Sequence, residues 1–554
     1  MTAQKTGQAP NPALGQKQGD VPAITMRFGG GMNTRELATD IDDRECADGS
    51  QNFGLDLFSA AFFPRAPFDL VGTAPNGQSI NGFAQLQKQD GTLSTLIQAG
   101  TALYKWDGVS FTNIATVPFG SKLRGAYNAN FPALNKVLVT DLALQQVVST
   151  WDGTTFAALA HNLGGGVNFF AKYSLVSKER AWFANVTAGS ATPHVILASA
   201  VGDPTNLTTA NKPSLSLGVG DPFFVQTQDM SPINGFAEFL TDKYVSTQRG
   251  SLNFIHGIDG RDMQIDQKYP FIGAVGDEAM TYIGNDVAYG RMGRIETMFG
   301  TINYGDVETQ ELSRAIQNKI AGVTGWTLVY DPILYRLYCF PTGVSQCWVY
   351  YKSITDDWVN RYYRKDGLPI RSSAWSLWTT AHALAFQPTT AWMMKRPQDG
   401  LIGVYMGDAN GKVYRMEGTG AGDGGSVNIT ASRLSKMIEL PEGQVFDVEG
   451  YVRYQQPLVS SALTLTLQHN GRQIFDQPIT IAALQSTAAG SFFNDGNTYF
   501  GGGSYFSAAF TGRVARNKFT LAGESDLFQI FATVTGTNAF NINEIVLKLK
   551  VSRS

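Results

Sequence analysis

A six-residue pattern, Trp-Asp-Gly-x-x-Phe, occurs twice in this 554-residue chain, at residues 106–111 and again 45 residues later at 151–156. In each copy a strand-like segment precedes the tryptophan. Asp-Gly is a turn signal that would place the two aromatic residues on opposing strands of a hairpin. Short strands that repeat about every 40–50 residues are typical of β-propeller blades. The pattern therefore predicts a propeller, with a large β-sandwich containing coincidental turns as the alternative.

A second internal similarity extends this repeat. Residues 81–84 and 234–237 share the sequence Asn-Gly-Phe-Ala, and each copy is followed by a strand, a turn and another strand. Similar strand pairs can be read at 280–289, 327–339 and 403–416. At this spacing, residues 70–418 would hold about seven or eight blades.

Three further patterns set the predicted domains. Asp306 would cap a helix over 307–320, inserted into the propeller. Five glycines between 418 and 425 mark a hinge, and alternating strands such as 463–467 and 545–551 follow it. The prediction is an all-β protein with a flexible N-terminal arm (1–25), a β-propeller (26–425) and a C-terminal β-sandwich-like domain (426–554).

Composition excludes several functional classes. Only 16% of the residues are charged, 59 are glycine and the formal net charge is -3, which suits a turn-rich β protein and gives no basic field for holding nucleic acid. No apolar run is long enough for a membrane-spanning helix or a signal peptide. Cys46, Cys339 and Cys347 show no metal or disulfide spacing, so we expect them to be reduced, buried and structural.

The sequence shows no catalytic constellation. Its histidines lack any zinc-binding spacing and stand at His161, His194, His256, His382 and His469. The acidic run of residues 40–48 lacks the pattern of a calcium loop, although calcium binding there stays open, and Asp356-Asp357 reads as a turn. We therefore expect no catalytic residue, no cofactor and no metal site.

One long loop, residues 486–509, combines aromatic residues with glycine and is longer than a compact domain usually contains without a function. It is the candidate contact tip or channel constriction, and the alternative is an ordered hairpin packed on its own domain. Its aromatic residues are Phe492, Phe493, Tyr499, Phe500, Tyr505 and Phe506.

The N-terminal section carries a distinctive series of short motifs. These are Phe-Gly-Gly-Gly-Met-Asn-Thr-Arg at 28–35, Asp-Ile-Asp-Asp-Arg-Glu-Cys at 40–46, Gln-Asn-Phe at 51–53 and Pro-Arg-Ala-Pro at 64–67. Together they resemble the opening of tail nozzle proteins (tail tubular protein B) of short-tailed bacteriophages. The segments 198–206 and 283–287 also resemble parts of that family, although Leu207 stands where the family often has tryptophan.

The resemblance implies a structural virion protein, made in the host cytoplasm and located in the tail. It implies a homo-oligomer, six copies closing into a ring, with a portal-adaptor protein above and tail fibre or spike proteins at the side. The ring would retain the packaged genome and pass double-stranded DNA without sequence-specific binding, and a near-neutral surface suits such a conduit because each phosphate contact adds affinity. The alternatives are a receptor- or fibre-binding propeller that uses 358–363 or 492–506, and a propeller glycosidase.

Overall fold

The computed structural model describes residues 24–26, 30–37, 41, 45–55, 62–125, 130–131, 134–164, 166–208, 220–239, 242–257, 263–269, 273–284, 286–297, 311–352, 374–420, 422–439, 445–455, 461–469, 472–481, 514–524, 527–535 and 542–552. Nearly all regular structure within them is β-strand. They form two compact units. The propeller unit contains the described residues of 66–352 and 374–429, and the C-terminal unit those of 24–65 and 430–552.

The first strands of the chain, β1 (Ile24–Met26), β2 (Phe53–Gly54) and β3 (Phe63–Pro64), belong to the C-terminal unit. The propeller unit opens with β4 (Asp69–Thr73), and blades 1 and 2 follow. Blade 1 consists of β5 (Ile80–Gln87), β6 (Leu93–Ala99), β7 (Ala102–Trp106) and β8 (Phe111–Thr116). Blade 2 consists of β9 (Leu123–Gly125), β10 (Asn130–Phe131), β11 (Lys136–Asp141), β12 (Ser149–Trp151) and β13 (Phe156–Ala158). A short parallel pairing of β5 with β9 joins the two blades.

The repeated Trp-Asp-Gly-x-x-Phe pattern forms the outer hairpin of blades 1 and 2, as the sequence predicts. Trp106 pairs with Phe111 across one hairpin, and Trp151 pairs with Phe156 across the other. In the first turn the Asp107 carboxylate accepts hydrogen bonds from the backbone N–H groups of the third and fourth residues after the tryptophan, at 2.9 and 2.6 Å. The Asp152 carboxylate does the same at 2.8 and 2.7 Å. These bonds satisfy turn donors that would otherwise need water.

Blades 3 to 6 continue the ring. Blade 3 has β14 (Phe169–Ser177), β15 (Arg180–Ala188), β16 (Ser190–Ala198) and β17 (Phe223–Gln226). Blade 4 has β18 (Ile233–Phe239), β19 (Asp242–Thr247), β20 (Leu252–His256) and β21 (Gln264–Tyr269). Blade 5 has β22 (Met280–Tyr282), β23 (Val287–Arg291) and β24 (Arg294–Thr297), and blade 6 has β25 (Trp326–Asp331), β26 (Arg336–Pro341), β27 (Cys347–Tyr351) and β28 (Trp375–Trp378).

The Asn-Gly-Phe-Ala similarity lies on the innermost strands of two blades, β5 and β18. In both, the pairing register shifts at the same point, between Ile80 and Gly82 in one and between Ile233 and Gly235 in the other. A Cβ atom on Gly82 would lie 2.5 Å from the carbonyl oxygen of Leu123, so the close approach of blade 2 requires glycine there. The repeated Asn-Gly-Phe-Ala sequence therefore marks a β-bulge as well as a strand.

Blade 7 closes the propeller by combining both ends of the unit. Its strands are β29 (Thr390–Lys395), β30 (Ile402–Gly407), β31 (Lys412–Arg415) and, at the outer edge, β4. The Asp69 carboxylate of β4 accepts hydrogen bonds from the backbone N–H groups of Thr419 and Gly420, at 2.8 and 3.0 Å. The described residues thus form seven blades, within the predicted number, and the outer strand of the last blade comes from the start of the unit, which ties the two ends of the ring together.

His382 packs at this closure and predicts a pH dependence of stability. Its ring makes edge contacts with Phe68 and Tyr414, at centroid distances of 5.2 and 5.3 Å, and its Nδ1 accepts a hydrogen bond from Leu384 N at 3.1 Å. Burial lowers the pKa of His382 below its usual value of 6.5, so the ring stays neutral to a lower pH in the folded protein than in the unfolded chain. Protons then bind the unfolded chain first, and stability contributed by this site is lost as the pH falls below about 6.5.

We expect the unfolding midpoint to drop between pH 7.5 and 5.5 by less in His382→Gln than in the wild type. Tryptophan fluorescence is a suitable readout because all nine tryptophans lie at 106–392. His194→Gln, a histidine of the same unit, is the matched control and should keep the wild-type dependence. Equal pH dependence in wild type and His382→Gln would contradict the assignment.

The C-terminal unit consists of two main sheets. Besides β1, their strands are β32 (Thr430–Leu434), β33 (Ile438–Glu439), β34 (Val445–Gln455), β35 (Ser461–His469), β36 (Arg472–Ile481), β37 (Val514–Glu524), β38 (Leu527–Thr535) and β39 (Ile542–Ser552). The first sheet has the order β1-β39-β34-β37 and the second the order β32-β38-β35-β36, with β33 also paired to β38. Buried residues come from both sheets, including Val452 and Ile545 of the first and Leu463 and Ile530 of the second. The β-sandwich-like prediction for this part of the chain is confirmed.

The unit boundaries differ from the predicted domains at the N-terminal side. Ile24 and Thr25, predicted to belong to a flexible arm, pair with Leu547 and Val546 of β39, and residues 1–23 lie outside the described part. Residues 30–65, predicted to begin the propeller, belong to the C-terminal unit, where Gln51 pairs with Ser432. The sequence pattern missed this because the partner strands are about 400 residues away. The propeller unit itself ends at 429, close to the predicted 425.

The helix predicted over 307–320 is much shorter. Residues 307–310 lie outside the described part, and the described helical turns are a 3₁₀ turn (Arg314–Ile316) followed by α1 (Gln317–Ile320). Glu311 forms a β-bridge with Glu296, and Ser313 Oγ accepts a hydrogen bond from Ile295 N at 2.9 Å. Among the described residues, the segment is thus bridged to β24 at Glu311, and its helical turns begin only at Arg314.

Candidate functional site

The N-terminal motifs that resemble tail nozzle proteins converge inside the C-terminal unit. Asn33 Nδ2 donates to Glu45 Oε2 at 2.9 Å, and the Asn33 backbone N–H donates to the Cys46 carbonyl at 2.9 Å. The Cys46 N–H donates in turn to the Gly31 carbonyl at 3.1 Å. The Gly-Gly-x-Asn segment is thus bonded to the end of the acidic segment. Burial raises the pKa of the Cys46 thiol, which keeps it protonated and unreactive.

Arg433 of β32 joins this network from the other end of the chain. It is 1% exposed, its guanidinium donates to the Gly30 carbonyl at 2.9 Å, and it lies 5.5 Å from the centroid of the Phe53 ring. Burial lowers the pKa of Arg433, while the nearby Cys46 and Glu45 oppose that shift. We call Gly30, Asn33, Glu45, Cys46, Phe53 and Arg433 the signature cluster.

The Gln-Asn-Phe and Pro-Arg motifs meet beside the signature cluster. Asn52 has a φ of 56°. Its side chain accepts a hydrogen bond from Arg65 Nε at 3.1 Å and donates one to the Thr430 carbonyl at 3.1 Å. The left-handed backbone at Asn52, which asparagine tolerates better than most residues, lets one side chain connect three segments. In the structure these motifs therefore serve as folding contacts.

The mid-chain segment 198–206 forms a capped turn in blade 3. Asp203 accepts hydrogen bonds from Thr205 N and Thr205 Oγ1, at 2.9 and 2.6 Å. Leu207, at the position where the family often has tryptophan, is 3% exposed and packs in the core of blades 1 to 3. Leu207 is therefore a core residue of the propeller unit.

A cavity of about 510 Å³ lies at the centre of the propeller. Its walls come from the innermost strands of six blades: Arg124 and Thr140 of blade 2, Lys172–Ser174 of blade 3, Gly235–Glu238 of blade 4, Met280–Tyr282 of blade 5, Thr327–Tyr330 of blade 6 and Ala391–Met393 of blade 7. Asp277 and Glu278, just before β22, also line it. We call it the channel cavity. A central channel of this kind is a common place for a propeller to bind a ligand because many strands converge on it.

One ion pair of the channel cavity joins blades 3 and 5. Lys172 Nζ lies 3.0 Å from both carboxylate oxygens of Asp277. Tyr173 donates its hydroxyl to Asp277 Oδ1 at 3.3 Å. Burial, followed by the Asp277 charge, raises the pKa of Tyr173 well above 10, so it remains a neutral donor.

A second ion pair joins blades 2 and 5. Arg124 forms a bidentate contact with Glu278 Oε1 through Nε and a terminal nitrogen, the former at 2.9 Å. A further Arg124 nitrogen donates to the Asn81 carbonyl at 2.8 Å, and the guanidinium lies 5.5 Å from the centroid of the Trp392 ring. Arg124 therefore has most of its donors engaged within the protein.

A third acidic residue of the wall, Glu238, is also paired. Lys243 Nζ lies 3.2 Å from Glu238 Oε1, and Ser177 donates its hydroxyl to the same oxygen. Lys243 is 1% exposed and lies 4.5 Å from the centroid of the Trp182 ring. Burial lowers the pKa of Lys243, and Glu238 opposes this shift. Each carboxylate of the channel cavity thus has a cationic partner.

The structure describes only some of the sites predicted from the sequence. The aromatic loop residues Phe492, Phe493, Tyr499, Phe500, Tyr505 and Phe506 lie outside the described residues, as do 353–373, which include Asp356 and the 358–363 segment. Of the acidic run, Glu45 is bonded within the signature cluster, whereas Asp40, Asp42 and Asp43 are not described. Within the described ranges, no group of three or more His, Cys, Asp or Glu residues is placed to hold a metal ion. Cys46, Cys339 and Cys347 are buried thiols that form no disulfide with one another.

Sequence reasoning missed the channel cavity. Its charged residues are spread over blades 2 to 5, with Arg124, Lys172 and Glu238 on strands and Asp277 and Glu278 just before β22. Each looks like an isolated surface charge until the ring closes. One signal was present: in a chain with only 16% charged residues, Lys172, Asp277 and Glu278 flank or enter the first strand of a repeat unit. The first strand of a blade faces the axis, so charges there are candidates for the channel.

Comparisons with known proteins give a likeness of fold. No protein-family model and no curated protein matches the chain. Similar solved structures include YCF48 from Cyanidioschyzon merolae, 9% identical over 63% of this chain and 98% of that one, with a TM-score of 0.38. BBS1N in complex with ARL6DN is 9% identical over 65% and 99%, with a TM-score of 0.38. An exo-beta-1,3-galactanase from Phanerochaete chrysosporium is 10% identical over 87% and 100%, with a TM-score of 0.26.

These identities and scores are too low to carry an argument about function. In the part of the chain that the structure describes, no helix has the length and apolar character needed to cross a bilayer.

Proposed function

We propose that this protein is a structural, non-catalytic component of the tail of a short-tailed bacteriophage. In this proposal it is the nozzle, which forms a closed ring, retains the packaged genome and conducts DNA during ejection. A portal-adaptor protein would bind above the ring, tail fibres or spikes would bind at its side, and the protein would be located in the virion.

The observation that carries the proposal is the signature cluster. The motif residues Gly30, Asn33, Glu45, Cys46 and Phe53 come from three separate motifs, yet they join one buried network, which the distant Arg433 completes. Chance likeness in short motifs gives no reason for the matching residues to be neighbours in space. A shared architecture gives one, because buried polar groups must keep their partners. This supports descent from a structural family.

The electrostatics of the chain agree with a conduit. The formal net charge is -3, so the chain as a whole has no excess of cations to offer DNA. A protein that must release DNA quickly needs few unpaired cations, because each phosphate that it neutralises adds salt-dependent affinity. A closed ring also requires head-to-tail contacts between copies, which large polar β surfaces can supply.

The test is the assembly state of the purified full-length chain, alone and with a portal–adaptor complex. We expect mass photometry to show a six-copy species that is formed or stabilised by the complex, and negative-stain images to show a ring with a central bore. We also expect no retention of a duplex DNA probe at physiological salt. A chain that stays monomeric in both conditions, or that holds the duplex tightly, would refute the nozzle proposal.

A further inference from the structure

The channel cavity has no part in the proposed nozzle function, yet it has the composition of a ligand site. We propose that it binds a short neutral oligosaccharide. Its volume of about 510 Å³ is within the range of small-molecule sites, roughly 300–1,000 Å³. The class of ligand follows from three properties of its wall: the state of its charges, its hydroxyl groups and its exposed aromatic ring.

The charges of the wall are already paired. Lys172 contacts Asp277, Arg124 contacts Glu278, and Lys243 contacts Glu238. A ligand with its own charge would have to compete with one of these pairs, and removing one partner from a largely buried pair is strongly unfavourable. A neutral ligand leaves all three pairs in place. A neutral ligand can still donate a hydrogen bond to a carboxylate of the wall, since Glu278 Oε2 accepts no hydrogen bond among the described contacts.

Outside the three ion pairs, hydroxyl groups supply most of the hydrogen-bonding groups of the cavity wall. Ser174, Thr281, Thr327 and Tyr282 line the channel cavity, and no hydrogen bond of their hydroxyls occurs among the described residues. A hydroxyl both donates and accepts, and so does each hydroxyl of a sugar. Four such groups from blades 3, 5 and 6 suit a ligand that presents many hydroxyls in several directions. A phosphate would in addition need a cation, and Arg124 and Lys172 are already paired with carboxylates.

Tyr282 provides the apolar surface. Its side chain is 49% exposed at the cavity wall, and its ring is fixed by an edge contact with Tyr330 at a centroid distance of 6.3 Å. Trp392 and Met393 lie on the wall contributed by blade 7. An exposed and oriented aromatic ring beside hydroxyl and carboxylate groups offers a stacking surface for the C–H face of a pyranose ring.

The proposal is tested with the full-length chain and five soluble probes. The neutral probes are maltotriose, cellotriose and chitotriose, and the charged probes are trigalacturonate and spermidine. We expect isothermal titration and saturation-transfer NMR to detect at least one neutral probe at millimolar concentration. We expect that affinity to fall about tenfold in Tyr282→Ala, which loses the stacking surface. It should also fall in Thr281→Val, which removes only a hydroxyl.

Phe119→Ala is the matched control because Phe119 is an exposed aromatic residue, 90% exposed, away from the cavity wall. It should bind like the wild type, and thermal melts check that all three variants fold. Three results would overturn the proposal: no neutral probe binds, a charged probe binds more tightly than every neutral one, or Tyr282→Ala and Thr281→Val both bind like the wild type. None of these results bears on ring assembly, so the nozzle proposal is tested separately.

Discussion

Replacing Gly407 by alanine is expected to destabilise the propeller unit by about 3 kcal/mol, although it adds a single methyl group. Gly407 ends β30 in blade 7, next to the first residue of blade 1. A Cβ atom there would lie 2.5 Å from both Cβ and Cγ2 of Ile80. Real Cβ atoms do not approach that closely, so either the two blades separate or Ile80 moves.

Ile80 has little freedom to move. Its backbone N–H donates to the Asp408 carbonyl at 2.9 Å, its carbonyl accepts a hydrogen bond from Thr389 Oγ1, and its side chain is 0% exposed. The contact therefore lies at the seam where the last blade meets the first. Because the ring has to close, strain at this seam cannot be relieved by a shift of one free edge.

Gly403→Ala is the matched control on the same strand. Its Cβ would meet only the Arg415 side chain, at 3.8 and 3.9 Å, which is ordinary contact. Chemical denaturation followed by tryptophan fluorescence should show a clearly lower midpoint for Gly407→Ala and a nearly unchanged one for Gly403→Ala. Equal stability of the two variants would show that the seam is looser than the structure indicates.

The seam also shows how much of the fold could be predicted from the sequence. Local signals within a blade predicted structure correctly: the Trp106–Phe111 hairpin and the paired strands that follow each Asn-Gly-Phe-Ala segment are both present. The closure was not predicted, because the pairing of Leu70 with Tyr414 joins residues 344 positions apart and leaves no local pattern. Short strands joined by turn residues can be recognised locally, whereas long-range pairing depends on the whole ring.

The candidate sites also divide into those with a local sequence pattern and those that depend on long-range contacts. The motifs around Asn33 and Asn52 could be singled out from the sequence, but only their positions in space reveal that they are structural. The channel cavity could not be predicted, because Arg124 and Glu278 are 154 residues apart and meet only when six blades surround the axis. Helical periodicity at 307–320 predicted too long a helix, because Glu311 is bridged to Glu296 of β24 and the described helical turns cover only 314–320.

Replacing Arg433 by methionine is expected to be the most damaging change in the C-terminal unit, with a loss of about 3–5 kcal/mol. Methionine keeps much of the side-chain volume but leaves the Gly30 carbonyl without its donor. It also leaves the buried Glu45, which is 4% exposed, without the nearby positive charge. A buried carboxylate that loses its compensating charge is strongly disfavoured, so the N-terminal segment should detach from β32.

The measurement has to report on the C-terminal unit alone. All nine tryptophans lie at 106–392, so their fluorescence follows the propeller unit, and hydrogen exchange of peptides from 30–37 and 430–439 follows the signature cluster. We expect Arg433→Met to speed exchange in both peptides by about a hundredfold or more, which corresponds to about 3 kcal/mol. Arg35→Met, in the same motif but exposed, is the control and should exchange like the wild type.

This experiment also separates two interpretations of the resemblance to nozzle proteins. If the signature cluster holds the fold together, protection is lost at residues 30–37 and 430–439 at the same time, because Arg433 connects the two segments. If the motifs instead marked a surface for a partner, Arg433→Met would leave exchange in the isolated chain unchanged and weaken only assembly. The burial of Arg433 at 1% exposure favours the first outcome, since a contact surface must be accessible before its partner binds.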